Sequence, residues 1–147
     1  MRDVVRVERC VNASIERSFV AFTEEIHRWW RPEPRFRWLV GGGTLRFTDG
    51  QLVEESGDER FIVGPVLAWE PSHHLAFGWR GPSFSGDEST RVDVRFVQDG
   101  PRTRVILEHS GWAQIRPDHP VRRGTKDTPA FRALLGLYWG ESLGRLV

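Results

Sequence analysis

The feature that most limits what this chain can fold into is a long stretch of two-residue alternation, cut at short intervals by turn residues. Its interruptions are Asp49-Gly50, Ser56-Gly57-Asp58, Pro71-Ser72-His73 and Asp99-Gly100-Pro101. A period of two marks strands with one buried and one solvated face. Asp49-Gly50 is a strong hairpin signal, because the tightest hairpin turns need residues that accept positive φ. The predicted extended segments are Arg35 to Val40, Thr44 to Thr48, Gln51 to Glu55, Glu59 to Glu70, His74 to Arg80, Arg91 to Gln98 and Thr103 to Trp112. Connections this short join antiparallel neighbours. The longer stretch Gly81 to Ser89, rich in Gly, Pro and Ser with Phe84 at its centre, reads as a loop able to gate a cavity mouth.

Two helix-like segments flank this run. A β-branched strand, Val4 to Val11, comes first, and Asn12-Ala13-Ser14 ends it and supplies caps. Ile15, Phe19, Phe22, Ile26 and Trp29/Trp30 then recur at three and four residues, predicting one helix that Pro32 and Pro34 stop. Near the C-terminus, Thr128 and Pro129 open a second helix, and Leu134, Leu135, Tyr138, Trp139, Leu143 and Leu146 form its apolar stripe. The predicted order is strand, helix, about six antiparallel strands and a long helix. An α+β domain follows, since a one-sided apolar helix must cover the concave face of the sheet. No internal repeat or linker appears, so residues 1–147 are read as a single domain.

Strand parity predicts what lines that face. Phe61, Val63, Leu67 and Trp69 share one side of their strand, and Leu75, Phe77 and Trp79 share one side of the next. Val92, Val94 and Phe96 follow, then Val105, Leu107 and His109. The inner face is thus expected to be large and aromatic and the outer mostly charged. Seven tryptophans in 147 residues fall on nearly every element. They predict either one bulky core or a bulky lining around an enclosed space.

Composition narrows the functional classes. The net charge of +1 lacks the concentrated basic surface that nucleic acid requires, so no nucleic-acid partner is expected. One cysteine, Cys10, excludes a disulfide framework within the chain and is expected to be a buried structural thiol in a reducing, cytoplasmic setting. The N-terminus shows no secretory segment and no apolar run reaches membrane-spanning length, so no membrane association is expected.

Four collinear segments carry a resemblance to a known family. They are Ser18-Phe19-Val20-Ala21-Phe22-Thr23 running to Arg28-Trp29-Trp30; Gly64-Pro65-Val66-Leu67-Ala68-Trp69-Glu70-Pro71 with His74-Leu75-Ala76-Phe77-Gly78-Trp79; Thr103 to Trp112; and Tyr138-Trp139-Gly140-Glu141-Ser142-Leu143. Together they resemble the activator-of-heat-shock-protein-90-ATPase homology family, within the START-like (SRPBCC) helix-grip superfamily. The resemblance implies a Bet v 1-like curved antiparallel sheet wrapped around a long C-terminal helix, with an apolar cavity between them. It also implies binding of lipids, sterols, polyketides or other hydrophobic molecules, and for a few members cyclase or dehydratase activity. Eukaryotic chaperone activators of this kind carry an additional N-terminal domain. Because the first strand begins at Val4, chaperone activation is not expected here.

The expected ligand lining is Trp30, Trp38, Phe47, Phe61, Trp69 and Phe77, continued by Trp79, Phe96 and Trp139. Two polar groups would orient a ligand within it. His109 is a hydrogen-bonding or acid–base candidate, with a structural role as the alternative, and Tyr138 is a hydroxyl donor or a rim residue of the core. Arg46 and Arg95 alternate outward and are expected to be solvated. His73-His74 lacks a third ligand at suitable spacing, and Gly41-Gly42-Gly43 leads into a strand with no lysine after it, so neither a metal site nor a phosphate loop is expected. No cofactor is called for.

Three functions remain open on these residues. The first is non-catalytic binding of a hydrophobic small molecule, which apolar walls with few polar fixtures favour. The second is a cyclase- or dehydratase-like enzyme using His109 and Tyr138, against which no acidic residue is placed inside. The third is a stress- or chaperone-related interaction module, which needs an exposed apolar patch that the outer faces are not expected to carry. A homodimer formed by edge-strand pairing is compatible with all three.

Overall fold

In the computed structural model, which describes residues 4–29, 43–80 and 89–111, the alternating segments form one curved, seven-stranded antiparallel sheet. Its strands are β1 (Val4–Val11), β2 (Thr44–Thr48), β3 (Gln51–Ser56), β4 (Glu59–Glu70), β5 (His74–Trp79), β6 (Thr90–Asp99) and β7 (Arg102–Ser110). They lie in the order β1-β7-β6-β5-β4-β3-β2, so only β1 departs from sequential hairpin order. The β2–β3 turn has positive φ at both Asp49 (53°) and Gly50 (72°), the mirror-image turn that the sequence signal predicts.

β4 is the strand that bends the sheet. Its first half pairs with β3 and its second with β5, and register shifts fall at Leu52/Val53 and at Val66/Ala68. Each bulge adds one residue and moves the following side chains to the other face. Two bulges therefore restore the original parity, so Phe61 and Trp69 both face the concave side while the residues between them do not alternate simply. Leu67 is the casualty: it stands on the convex face, half exposed, and not beside Trp69 as strict alternation predicts. At the bend Gly64 crosses Gly78 so closely that a Cβ would collide with the Gly78 carbonyl oxygen, which only glycine avoids.

The predicted first helix is two. α1 (Ile15–Thr23) is capped by the Ser14 hydroxyl, which accepts from the Arg17 N–H at 3.1 Å. It stops at Thr23, whose hydroxyl bonds back to the Phe19 carbonyl, and the Glu25 N–H reaches Val20 O at 3.3 Å in a wider turn. α2 (Ile26–Trp29) then sets off anew. A paired Arg17–Glu25 contact spans the break, and the Trp29 indole N–H donates to Ala21 O at 3.0 Å. Among the described residues no helix is long and apolar enough to cross a membrane.

α1 lies over β6 and β7 and α2 over β2, which places the core between the helices and the concave face. Phe22, Leu52, Leu75, Val92, Val105 and Leu107 have no exposed surface. Each such side chain contributes roughly 1.5–3 kcal/mol relative to an exposed position. Cys10 does not join them. It is exposed, with Sγ 3.9 Å from Asp99 Oδ2, because it has the opposite parity to the inward-facing Val5 and Val11. The convex face is also less uniformly charged than expected, carrying Ile62, Leu67 and Val97 at 42–50% exposure.

Candidate functional site

The concave face has two ends of different chemistry. At the end covered by the helices, aromatic rings pack on one another. Phe96 meets Phe19 at 5.3 Å and Phe22 at 6.0 Å between centroids, and Phe22 meets Trp29 at 4.6 Å. Phe19 continues the chain to Trp69 at 5.5 Å, Trp69 to Phe47 at 5.7 Å, and Phe47 to Phe77 at 5.6 Å. These are edge-on or tilted contacts, the arrangement that ring quadrupoles favour. Phe77, Phe96 and Phe22 are buried and this part of the face is filled. Trp69, 44% exposed, ends the cluster at its rim. Beside it an open pocket of about 280 Å³ is bounded by Phe47, Val66 and Trp69 and by the hairpin tip Thr48 to Gln51.

The opposite end collects polar groups. His109 of β7 is fully buried, and its Nε2 lies 2.6 Å from Thr90 Oγ1. The Thr90 hydroxyl gives its proton to the Trp79 carbonyl at 2.9 Å, so the imidazole must donate to Thr90. Nε2 therefore carries the proton and Nδ1 is the acceptor. The Trp79 indole meets the imidazole edge-on at 4.8 Å. Burial pushes the His109 pKa down to about 3, because the imidazolium cation would lose its hydration there. At neutral pH this histidine is a hydrogen-bonding group and not a proton shuttle.

Glu54 is the second buried polar group, with no exposed surface. It pairs across the sheet with Leu45 on one side and Phe61 on the other. Directly opposed residues of an antiparallel pair share a face, so Glu54 sits on the concave side with both. Over the Phe61 ring stands the Arg80 guanidinium, 5.5 Å from the centroid, at the end of β5. Glu54, Phe61, Arg80, Trp79, Thr90 and His109 thus belong to the same end of β3, β4, β5, β6 and β7.

The sequence-predicted lining divides accordingly. Phe47, Trp69, Phe77 and Phe96 join the packed cluster, while Phe61, Trp79 and His109 belong to the polar end. Trp30, Trp38, Tyr138 and Trp139 lie outside the described residues. So do Trp112, the strand predicted at Arg35 to Val40 and the loop from Gly81 to Glu88, together with the C-terminal helix. Arg46 and Arg95 point outward as expected, Arg46 toward Glu55 at 3.6 Å. His74 bonds Asp93 at 2.9 Å on the convex side, and Arg91 also holds Asp93. Among the described residues no three His, Cys, Asp or Glu side chains converge as a metal ion would need.

Sequence reasoning missed Glu54, Thr90 and Arg80, and the expectation that no acidic residue lies inside is corrected by Glu54. A signal for Glu54 existed. It has the same parity as Leu52 in a strand where the following Glu55 takes the solvated side.

A family model, Activator of Hsp90 ATPase homolog 1-like protein, matches residues 12–129. The chain belongs to this family. None of the curated proteins matches it. Among solved structures, the Aha1 dimer from Colwellia psychrerythraea is similar at a TM-score of 0.64 and 16% identity, over 97% of this chain and 92% of that one. DynU16, a putative protein in the dynemicin biosynthetic locus, is similar at 0.66 and 22% identity. That match takes in 99% of this chain but only 46% of DynU16. The anthrahydroquino-Gama-pyrone synthase Txn09, complexed with SUM, is similar at 0.57 and 29% identity over 97% and 94% of the two chains. As a member of the Hsp90 ATPase activator homolog family, the chain has the curved antiparallel sheet that the helix-grip expectation calls for.

Proposed function

We propose that this protein binds a planar hydrophobic small molecule of the aromatic polyketide class on the concave face of its sheet, without transforming it. The observation that carries this reading is the division of that face. An apolar aromatic wall adjoins an end where Glu54, Thr90 and His109 are buried, the make-up of a small-molecule site. The likeness to Txn09, whose name records a polycyclic product, and to a protein from the dynemicin locus supports the ligand class. In this reading residues 1–147 form one domain, the apolar stripe from Phe131 to Leu146 is the gripped helix, and Tyr138 and Trp139 complete the lining. The protein acts in the cytoplasm, and its edge strands permit a homodimer.

The second reading, a cyclase- or dehydratase-like enzyme, is favoured by the enclosed Glu54 carboxyl and by Txn09 being a synthase. It does not run through His109 as proton carrier, since that imidazole stays neutral down to about pH 3.

The test is titration of the purified protein with 1,8-dihydroxyanthraquinone, followed by tryptophan fluorescence, alongside native mass spectrometry of freshly purified material. Saturable quenching, or a co-purifying aromatic adduct, is the expected result. Unchanged fluorescence across a panel of hydroxylated and plain polycyclic aromatics, with no adduct, sinks the binding reading. Conversion of the probe would favour the enzyme.

A further inference from the structure

We propose that the open pocket beside Trp69 binds an organic cation, a quaternary or protonated alkylammonium group, with Asp49 as its counter-charge. This site is separate from the binding reading above, taking a ligand group of different chemistry at the rim of the concave face. Three observations point to it.

First, the pocket is built in advance. The bulge between Val66 and Ala68 puts Val66 and Trp69 on the same face, although residues three apart in a regular strand point to opposite faces. The Val66 N–H donates to the Gly50 carbonyl at 2.8 Å and ties the β2–β3 turn against β4 at the edge of the pocket. Its volume of about 280 Å³ falls just under the roughly 300 Å³ at which small-molecule sites begin, so it suits a head group and not a polycyclic ring system. Second, the walls are aromatic and in contact with water. Trp69 is 44% exposed and meets Phe47 at 5.7 Å between centroids with the ring planes 72° apart, so the two rings form a corner. Ring faces carry negative charge density and attract cations. Third, the one carboxylate on the lining has no opposing charge. Arg46, the basic residue next to Asp49 in the sequence, points outward to Glu55 at 3.6 Å, and among the described residues Asp49 has no ion-pair partner. No basic side chain lines the pocket. A neutral hydrocarbon would leave the carboxylate unused, and an anion would be repelled by it. An alkylammonium group meets both features: its carbon groups pack on the rings while its charge faces the carboxylate.

The experiment titrates the isotope-labelled protein with choline and with 3,3-dimethyl-1-butanol, an uncharged molecule of the same shape, following amide and indole chemical shifts. Choline should shift the Gly50, Gln51 and Val66 amides and the Trp69 indole N–H. It should bind about fivefold or more tightly than the alcohol, the scale of an exposed cation–π contact added to an exposed ion pair. Asp49→Asn removes the charge and keeps the turn, because asparagine also accepts the φ of 53° found there. It should weaken choline about two- to fivefold and leave the alcohol within about twofold, the attraction to an exposed carboxylate being modest. Trp69→Ala should abolish the shifts at the turn. Equal binding of the two probes, shifts centred away from the turn, or undiminished choline binding by Asp49→Asn would overturn the proposal. Quenching by 1,8-dihydroxyanthraquinone without any choline response would remove this site while leaving the reading above intact.

Discussion

The two ends of the concave face are built from the same strands and obey opposite rules. Where α1 and α2 lie, Phe19, Phe22, Phe47, Phe77 and Phe96 satisfy one another, and the fold gains its stability from ring packing. At the other end, Glu54, Thr90 and His109 are buried among Phe61 and Trp79, where each polar group needs a partner and each charge is a cost. The comparison teaches that the described tryptophans differ in role. Trp29 is core, Trp69 is rim, and Trp79 is the apolar back of a polar site. The filled end holds the sheet's shape so that the polar end can keep groups a simple core would discard.

The sharpest way to break this comparison is acid. The unfolded chain protonates its histidine below about pH 6.5, whereas folded His109 does so only below about 3. The stability held by neutral His109 is therefore complete above pH 6.5 and declines as pH falls toward 3. Each tenfold difference in proton affinity between the folded and unfolded states is worth about 1.4 kcal/mol, so the full loss is of the order of 4–5 kcal/mol. Urea unfolding from pH 7 to 4 should show a steeper decline for the wild type than for His109→Gln. Parallel curves would mean that His109 is hydrated.

Phe96→Ala attacks the filled end instead. Removing a ring packed on both Phe19 and Phe22 should cost roughly 3–5 kcal/mol in urea midpoint analysis. The acid response of whatever remains folded should be unchanged, because the two ends share no ring contact among the described residues. Gly64→Ala tests the bend between them. The added methyl meets the Gly78 backbone and should cost about 1–3 kcal/mol, with β3 exchanging its amide hydrogens faster than β6. Trp69→Ala should have the smallest effect on stability, about 1 kcal/mol, since nearly half of the indole is already in water. Any fluorescence quenching that arises in the neighbouring pocket should disappear with it; persistence of the full signal would assign the response to one or more of the other six tryptophans.

Much of the architecture was legible. Strand limits from Val4 to Ser110 follow from alternation and turn residues, and the inward parity of Phe77, Trp79, Val92, Phe96, Leu107 and His109 holds. The failures share a cause. Leu67 and the break after Thr23 depend on insertions of one residue, at a bulge and in a widened helical turn, which shift register without altering composition. Cys10 failed differently: its strand is apolar on average, but its own parity points outward.

What the sequence determined by itself is the period and sidedness of its elements, because backbone geometry projects alternate residues to opposite faces wherever the strand lies. That was enough to infer a curved sheet, an aromatic inner face and a histidine upon it. Only the tertiary structure decided that Phe19, Phe22, Phe47, Phe77 and Phe96 pack together at one end, and that Glu54, Arg80, Thr90 and His109 share the other with Phe61 and Trp79. Those groups come from strands as far apart as residues 54 and 109, and no local pattern encodes which strands become neighbours. Their placement at one end of the sheet is a product of pairing order and of the bend at Gly64, where the sheet turns because one backbone must pass another without a side chain between them.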